Sequence, residues 1–263
     1  MSSHLECIGV AGEDEFAAVV QVAVEEGDAT PIDGGREILW RDAQGASIAV
    51  TVGLDQEILC ARPTFSAIPR VSARLGALAE DPECPFCSRL LLEVVDEEGE
   101  LWYPLAVELE RHAPARDPSS AGRQSRLAIS AFAETIEFWP SQDAYGAAHP
   151  AAMLDDGEGV PDPALASQSL IPTGLFVEEP RRRFWQRKQV DAVPTAHALI
   201  TGIVRGLEVR INSLTGRDFT WLELETYGGS YDVVVAGTDI SNDVVDGAVV
   251  QGEFWLIAGV PDG

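Results

Sequence analysis

Apolar and polar positions alternate with two different periods along this chain, and the change of period sets the elements it predicts. Phe16, Val19, Val20, Ala23 and Val24 recur at helical spacing, which puts them on one face of an α-helix. Glu13, Asp14 and Glu15 fall in its first turn, where the helix dipole favours negative charge, and Gly27 ends it. The apolar run at residues 7–10 reads as a short buried strand ahead of the helix. Beyond Gly27 the period drops to two. Residues 36–41 and 46–52 read as strands joined by a turn at 42–45, and 57–60 as a third.

Residues 89–95 and 100–109 form the clearest hairpin, around Asp96, Glu97, Glu98 and Gly99. Pro104 marks the second arm as an edge or a bulge. Residues 112–123, rich in Pro, Ser and Gly, read as an exposed loop. Residues 125–139 fit both periods: Phe132, Ile136 and Trp139 suit a helix, while Phe132, Glu134, Ile136 and Phe138 suit a strand. The strand is preferred, ending at Pro140, with Ser141 capping a short helix through Tyr145. Residues 147–172 are irregular.

The last third is the most regular. Residues 196–212 alternate as a long strand interrupted at Gly202 and Gly206, followed by a turn at 212–216. Strands at 219–226, 230–236 and 248–257 follow, separated by turns at 227–229 and 246–247. Long strands bent at glycine and joined by hairpins predict a small, strongly coiled barrel of the OB type. The expected fold is α+β with predominantly antiparallel strands. A mixed sheet with one or two helices would fill residues 1–177, a basic linker 178–194, and an OB-like barrel 195–263. No internal sequence repeat is evident.

Charge changes what such a fold can be expected to do. The chain has 43 acidic and 18 basic residues, a net charge of -25. Such a surface repels nucleic-acid phosphates and anionic lipids and leaves cations or basic proteins as easier partners. With 46% hydrophobic residues a sizeable core is expected. No apolar stretch approaches the about 20 residues of a membrane span. The first residues carry no basic-then-apolar signal pattern, so a cytoplasmic location is expected. Four cysteines (Cys7, Cys60, Cys84, Cys87) are too few and too scattered for the disulfide framework of a secreted domain.

Candidate chemistry is sparse. Cys84-Pro85-Phe86-Cys87 has the spacing of a redox or zinc pair, but Glu80, Asp81 and Glu83 precede it, where a thiolate would be disfavoured. A second CxxC is lacking. The histidines His4, His112, His149 and His197 are dispersed, and no HExxH, nucleophile elbow or phosphate-binding glycine loop occurs. One reversal of charge stands out. Arg181, Arg182, Arg183, Trp185, Arg187 and Lys188 form a basic cluster interleaved with aromatics. It could clamp phosphates and stack bases. The preferred reading is docking on the acidic surface of this chain or of a second copy.

Two resemblances bear on fold, one local and one extending over most of the chain. The strand–helix–three-strand order over about residues 4–65 resembles a module of the vicinal-oxygen-chelate (glyoxalase-like) fold. Its metal ligands are His and Glu on strands, and His4 and Glu57 are the positions here that match. A complete ligand set is not found, so no metal or other cofactor is expected; His4, Glu57, Cys84 and Cys87 are the nearest candidates. The stretches Ser169–Phe176, Asn212–Gly216, Glu225–Gly229 with Tyr231–Val234, and Gly252–Leu256 resemble a family of bacterial α+β proteins with no established activity. The expectation is a binding or protein-interaction module without catalysis. The alternatives are a metal-dependent enzyme of the vicinal-oxygen-chelate type and an OB-type single-strand binder.

Overall fold

The computed structural model describes residues 3–79, 89–111, 121–150, 167–175, 194–240 and 244–260. These form an α+β fold of two helices and thirteen strands in two sheets. The predicted first strand is instead a 3-10 turn, Glu6–Ile8, ended by Gly9 in the left-handed region at φ 71°. A short apolar run satisfies a buried turn as readily as a strand. A Cβ on Gly9 would also lie 2.8 Å from the Arg217 carbonyl oxygen, so only glycine fits both the angle and the space.

Helix α1 (Gly12–Glu26) carries the predicted face: Val19, Val20 and Ala23 are buried. Glu15 reaches back to accept the Ala11 N–H at 2.8 Å, occupying one of the donors that a helix start leaves over. The helix packs on an antiparallel meander in the order β1–β2–β3–β4. Its strands are β1 (Asp28–Ile32), β2 (Gly35–Arg41), β3 (Ala46–Gly53) and β4 (Ile58–Phe65).

The second sheet is larger and mixed. It contains β5 (Pro69–Ala79), β6 (Arg89–Val95), β7 (Leu101–Leu109), β8 (Gln124–Trp139), β9 (Ser169–Ile171), β10 (His197–Ile211), β11 (Asp218–Thr226), β12 (Gly229–Ala236) and β13 (Val249–Gly259). Strands from both sides of residues 178–194 belong to it. The ambiguous segment 125–139 is strand β8, and it ends where Ser141 begins helix α2 (Gln142–Ala148). There the Ser141 hydroxyl accepts from the Ala144 N–H, as the capping pattern predicts.

The pairings close two rings around one shared ribbon. β8 and β13 run antiparallel from Ala128↔Gly259 to Trp139↔Val249. On one side, β5, β6 and β7 form a meander whose first strand pairs with β8 and whose last runs parallel to β13. On the other, β10, β11 and β12 do the same with roles exchanged: β10 pairs with β13, and β12 runs parallel to β8. The same pairing scheme therefore occurs twice, though no sequence repeat announces it.

Alternation along the ribbon gives each face its own core. Leu127, Ile129, Ala131 and Ala133 of β8, with Phe254, Leu256 and Ala258 of β13, point into the core common to both rings. Phe132, Trp255 and Ile257 point the other way, onto α1 and the four-stranded sheet. The interrupted strand 196–212 is continuous as β10, but its register shifts between Val204 and Gly206, and its partner changes from β13 to β11 near Ile203. That bulge is the physical meaning of the predicted interruption.

The turn at 212–216 holds the N-terminal segment down. Asn212, fully buried, donates from Nδ2 to the Ile8 carbonyl at 2.8 Å, and its Oδ1 accepts from the N–H groups of Leu214 and Thr215. The Thr215 hydroxyl donates to the Gly9 carbonyl, and Asp42 accepts from the Ser213 N–H at 2.8 Å. Three distant stretches of chain are thereby fixed at one point. Among the described residues no helix is long and apolar enough to cross a membrane.

Candidate functional site

This latch delivers His4 to the outer face of the shared ribbon. Its ring stacks on Trp255 at 4.5 Å between centroids and 16° between planes. His197, the register partner of Trp255 across β10 and β13, lies beside it. The third member comes from β8. Thr135 faces Glu253 and Ala133 faces Phe254, so Glu134 is the extra residue of a β-bulge. The bulge aims its carboxylate at both rings. His4 Nε2 lies 3.1 Å and His197 Nε2 3.3 Å from the same Glu134 oxygen.

His4 Nε2 is hydrogen-bonded to this oxygen and donates when its proton sits there, while His197 Nε2 lies within ion-pair distance of the same atom. Among the described residues no group of three His, Cys, Asp or Glu side chains is arranged to hold a metal ion. Of the residues the sequence suggested, His4 enters this cluster. Glu57 lies between β3 and β4, where its carbonyl accepts the Gly53 N–H, and does not join it. Cys84, Cys87, Arg181, Arg182, Arg183, Trp185, Arg187 and Lys188 lie outside the described residues. Glu134 and His197 were not anticipated, because neither a bulge nor a register partner can be read from local pattern.

Burial holds the His4 imidazole below its ordinary value of 6.5, outweighing the opposing pull of Glu134. The sign of the consequence is fixed. Between 6.5 and the lower folded value, unfolded chains bind protons that folded chains refuse, so stability falls as the pH falls through that window. Urea titrations at about pH 5 and about pH 7.5 should show this loss, and His4→Gln should flatten it. An unchanged pH slope in that variant would sink the assignment. Nearby Cys7 is buried and donates to the Ala133 carbonyl; burial pushes its thiol up to about 12, so it is no nucleophile at neutral pH.

A second constellation sits where β7 begins and where β11 turns into β12. Trp102 and Tyr227, 39% and 49% exposed, stack with centroids 4.7 Å apart and planes 22° apart. Leu101 beside them is 53% exposed. Their positions are set from beneath. The Tyr103 hydroxyl donates to the Tyr227 carbonyl at 2.9 Å and lies 3.0 Å from the buried Tyr231 hydroxyl. Burial raises both phenols above their ordinary range, so both stay protonated and bonded. Gly228, at φ 93°, brings its backbone against the Tyr103 ring where a side chain would collide. The turn singled out at 227–229 is thus the mount for an exposed ring. Glu100, just before β7, is exposed, as are Glu97 and Glu98 at the hairpin tip.

Electrostatics favour acids outside. Among the described residues seven arginines are engaged in ion pairs with carboxylates: Arg41, Arg70, Arg74, Arg89, Arg205, Arg210 and Arg217. Arg210 also lies 4.4 Å from the Trp221 ring. These cations are paired with the chain's own acids, and the acid surplus remains. Compared with family models, with curated proteins and with solved structures, the chain matches none.

Proposed function

We propose that this chain is a binding module without catalysis whose partner is a basic protein surface, met at the Trp102–Tyr227 stack. The observation that carries this reading is the stack itself, exposed yet held by a buried tyrosine pair and bordered by the acids of the β6–β7 tip. A rigid aromatic face costs little side-chain entropy on binding, and a cation over it gains electrostatic attraction. The net charge of -25 steers a basic partner toward it.

The two rings support a second, finer reading. Each is a three-stranded meander closed by two further strands, the arrangement of OB-like barrels, and such barrels offer stacking platforms to single strands. The surplus of acid weighs against it.

Tryptophan fluorescence titrations with an arginine-rich dodecapeptide test the proposal. Binding should weaken with salt, and Trp102→Ala should lower affinity by about tenfold, as for a central aromatic anchor. Tyr227→Ala should act in the same direction. Equal affinity in both variants would end the proposal, and so would tighter binding of oligothymidylate than of the peptide.

A further inference from the structure

A cavity of about 250 Å³ lies where the four-stranded sheet meets the large one. Its charged lining comes from two places: Arg41 at the end of β2, and Glu110 and Arg111 just after β7. Ser66 adds a hydroxyl, and Gly259 of β13 closes the floor. Behind the wall Arg62 is buried and donates to the carbonyls of Leu109 at 2.6 Å and Glu110 at 3.3 Å. In a chain of net charge -25, three guanidinium groups thus gather around one carboxylate.

That carboxylate is a poor fit to its place. Glu110 meets Arg41 at 3.1 Å with only 12% of its side chain exposed. Burial raises its pKa despite Arg41, Arg111 and Arg62 nearby. Arg41 nevertheless remains 40% exposed and open to solvent, and Arg111 beside it also donates to the Thr30 hydroxyl at 3.4 Å.

We propose that this cavity is a binding site for a small oxyanion, a carboxylate or phosphate group, held by Arg41 and Arg111. Planar guanidinium forks match the oxygens of both groups. The volume falls below the about 300–1,000 Å³ of drug-sized pockets, so the ligand is a small one. Glu110 competes with it for Arg41. The site is independent of the aromatic stack and stands or falls separately.

The competition gives the test its sign. Inorganic phosphate and succinate are titrated calorimetrically at constant ionic strength into the whole protein and its variants. At least one probe binds the wild type. Glu110→Gln releases Arg41 and tightens that probe by about tenfold, and Arg111→Gln and Arg41→Gln weaken it by at least as much. Circular dichroism confirms that each variant is folded. Binding of phosphate alone assigns a phosphate group, and binding of succinate alone a carboxylate. Were Arg41–Glu110 only a strut between sheets, Glu110→Gln would destabilise the fold without tightening either probe. That result, or no binding to the wild type and Glu110→Gln at about 20 mM, overturns the proposal.

Discussion

Asp232→Ala is expected to cost the fold about 3–5 kcal/mol. The residue is 2% exposed, yet its carboxylate is fully used. One oxygen accepts from Arg70 Nη1 at 2.8 Å and Trp221 Nε1 at 2.7 Å, and the other from the Ile68 N–H at 2.7 Å. Alanine would strand two neutral donors and a guanidinium with little water to replace it. The neighbouring pair offers a control. Glu223 also meets Arg70, at 3.2 Å, but its side chain is 28% exposed. Glu223→Gln should therefore cost less than about 1 kcal/mol. Urea unfolding measures both; a loss below about 1.5 kcal/mol for Asp232→Ala would show that the carboxylate is dispensable.

Phe254→Ala should be nearly as damaging, at about 3–5 kcal/mol. The ring is fully buried in the core common to both rings of strands, on the ribbon that both need. Neighbours on two sides must collapse to fill the void. Phe254→Leu conserves most of the volume and should cost no more than about 1.5 kcal/mol. Leu54→Ala, at an 82% exposed position, should stay within about 0.5 kcal/mol. A Phe254→Ala variant within about 1 kcal/mol of wild type would contradict the packing described.

Local pattern carried much of the fold. Helix α1, the β6–β7 hairpin, the Ser141 cap and the strands after residue 196 follow from period, turn chemistry and capping alone. Strand β5 was missed although Val71, Ala73 and Leu75 alternate inward, because Pro69 opens it and Gly76 breaks its apolar pattern. Strand β1, five residues that include Asp28, Thr30 and Pro31, shows no apolar alternation to detect. Segment 125–139 was ambiguous because Phe132 and Ala133 are both buried, one on each core. A strand covered on both faces loses the alternation that identifies it.

The sites were less legible than the fold. His4 was named from a resemblance, but its partners lie 130 and 193 residues away, brought close by a bulge and a cross-strand register. The tyrosine pair beneath Trp102 joins positions 128 residues apart. Such convergence is a property of topology, and a local window contains none of it. The turn residues Tyr227, Gly228 and Gly229 did carry a signal, since two consecutive glycines imply a backbone that must pass close to something bulky; that something is Tyr103.

The exchange of β8 and β13 between the rings has a consequence for synthesis. The β5–β6–β7 meander emerges early, but its closing partner is residues 249–259. Neither ring can shut until the ribosome has made that stretch, so the growing chain carries open sheet edges through most of translation. Folding should be slow and concerted, and a nascent chain stopped before Val249 should depend on chaperones rather than form a stable half.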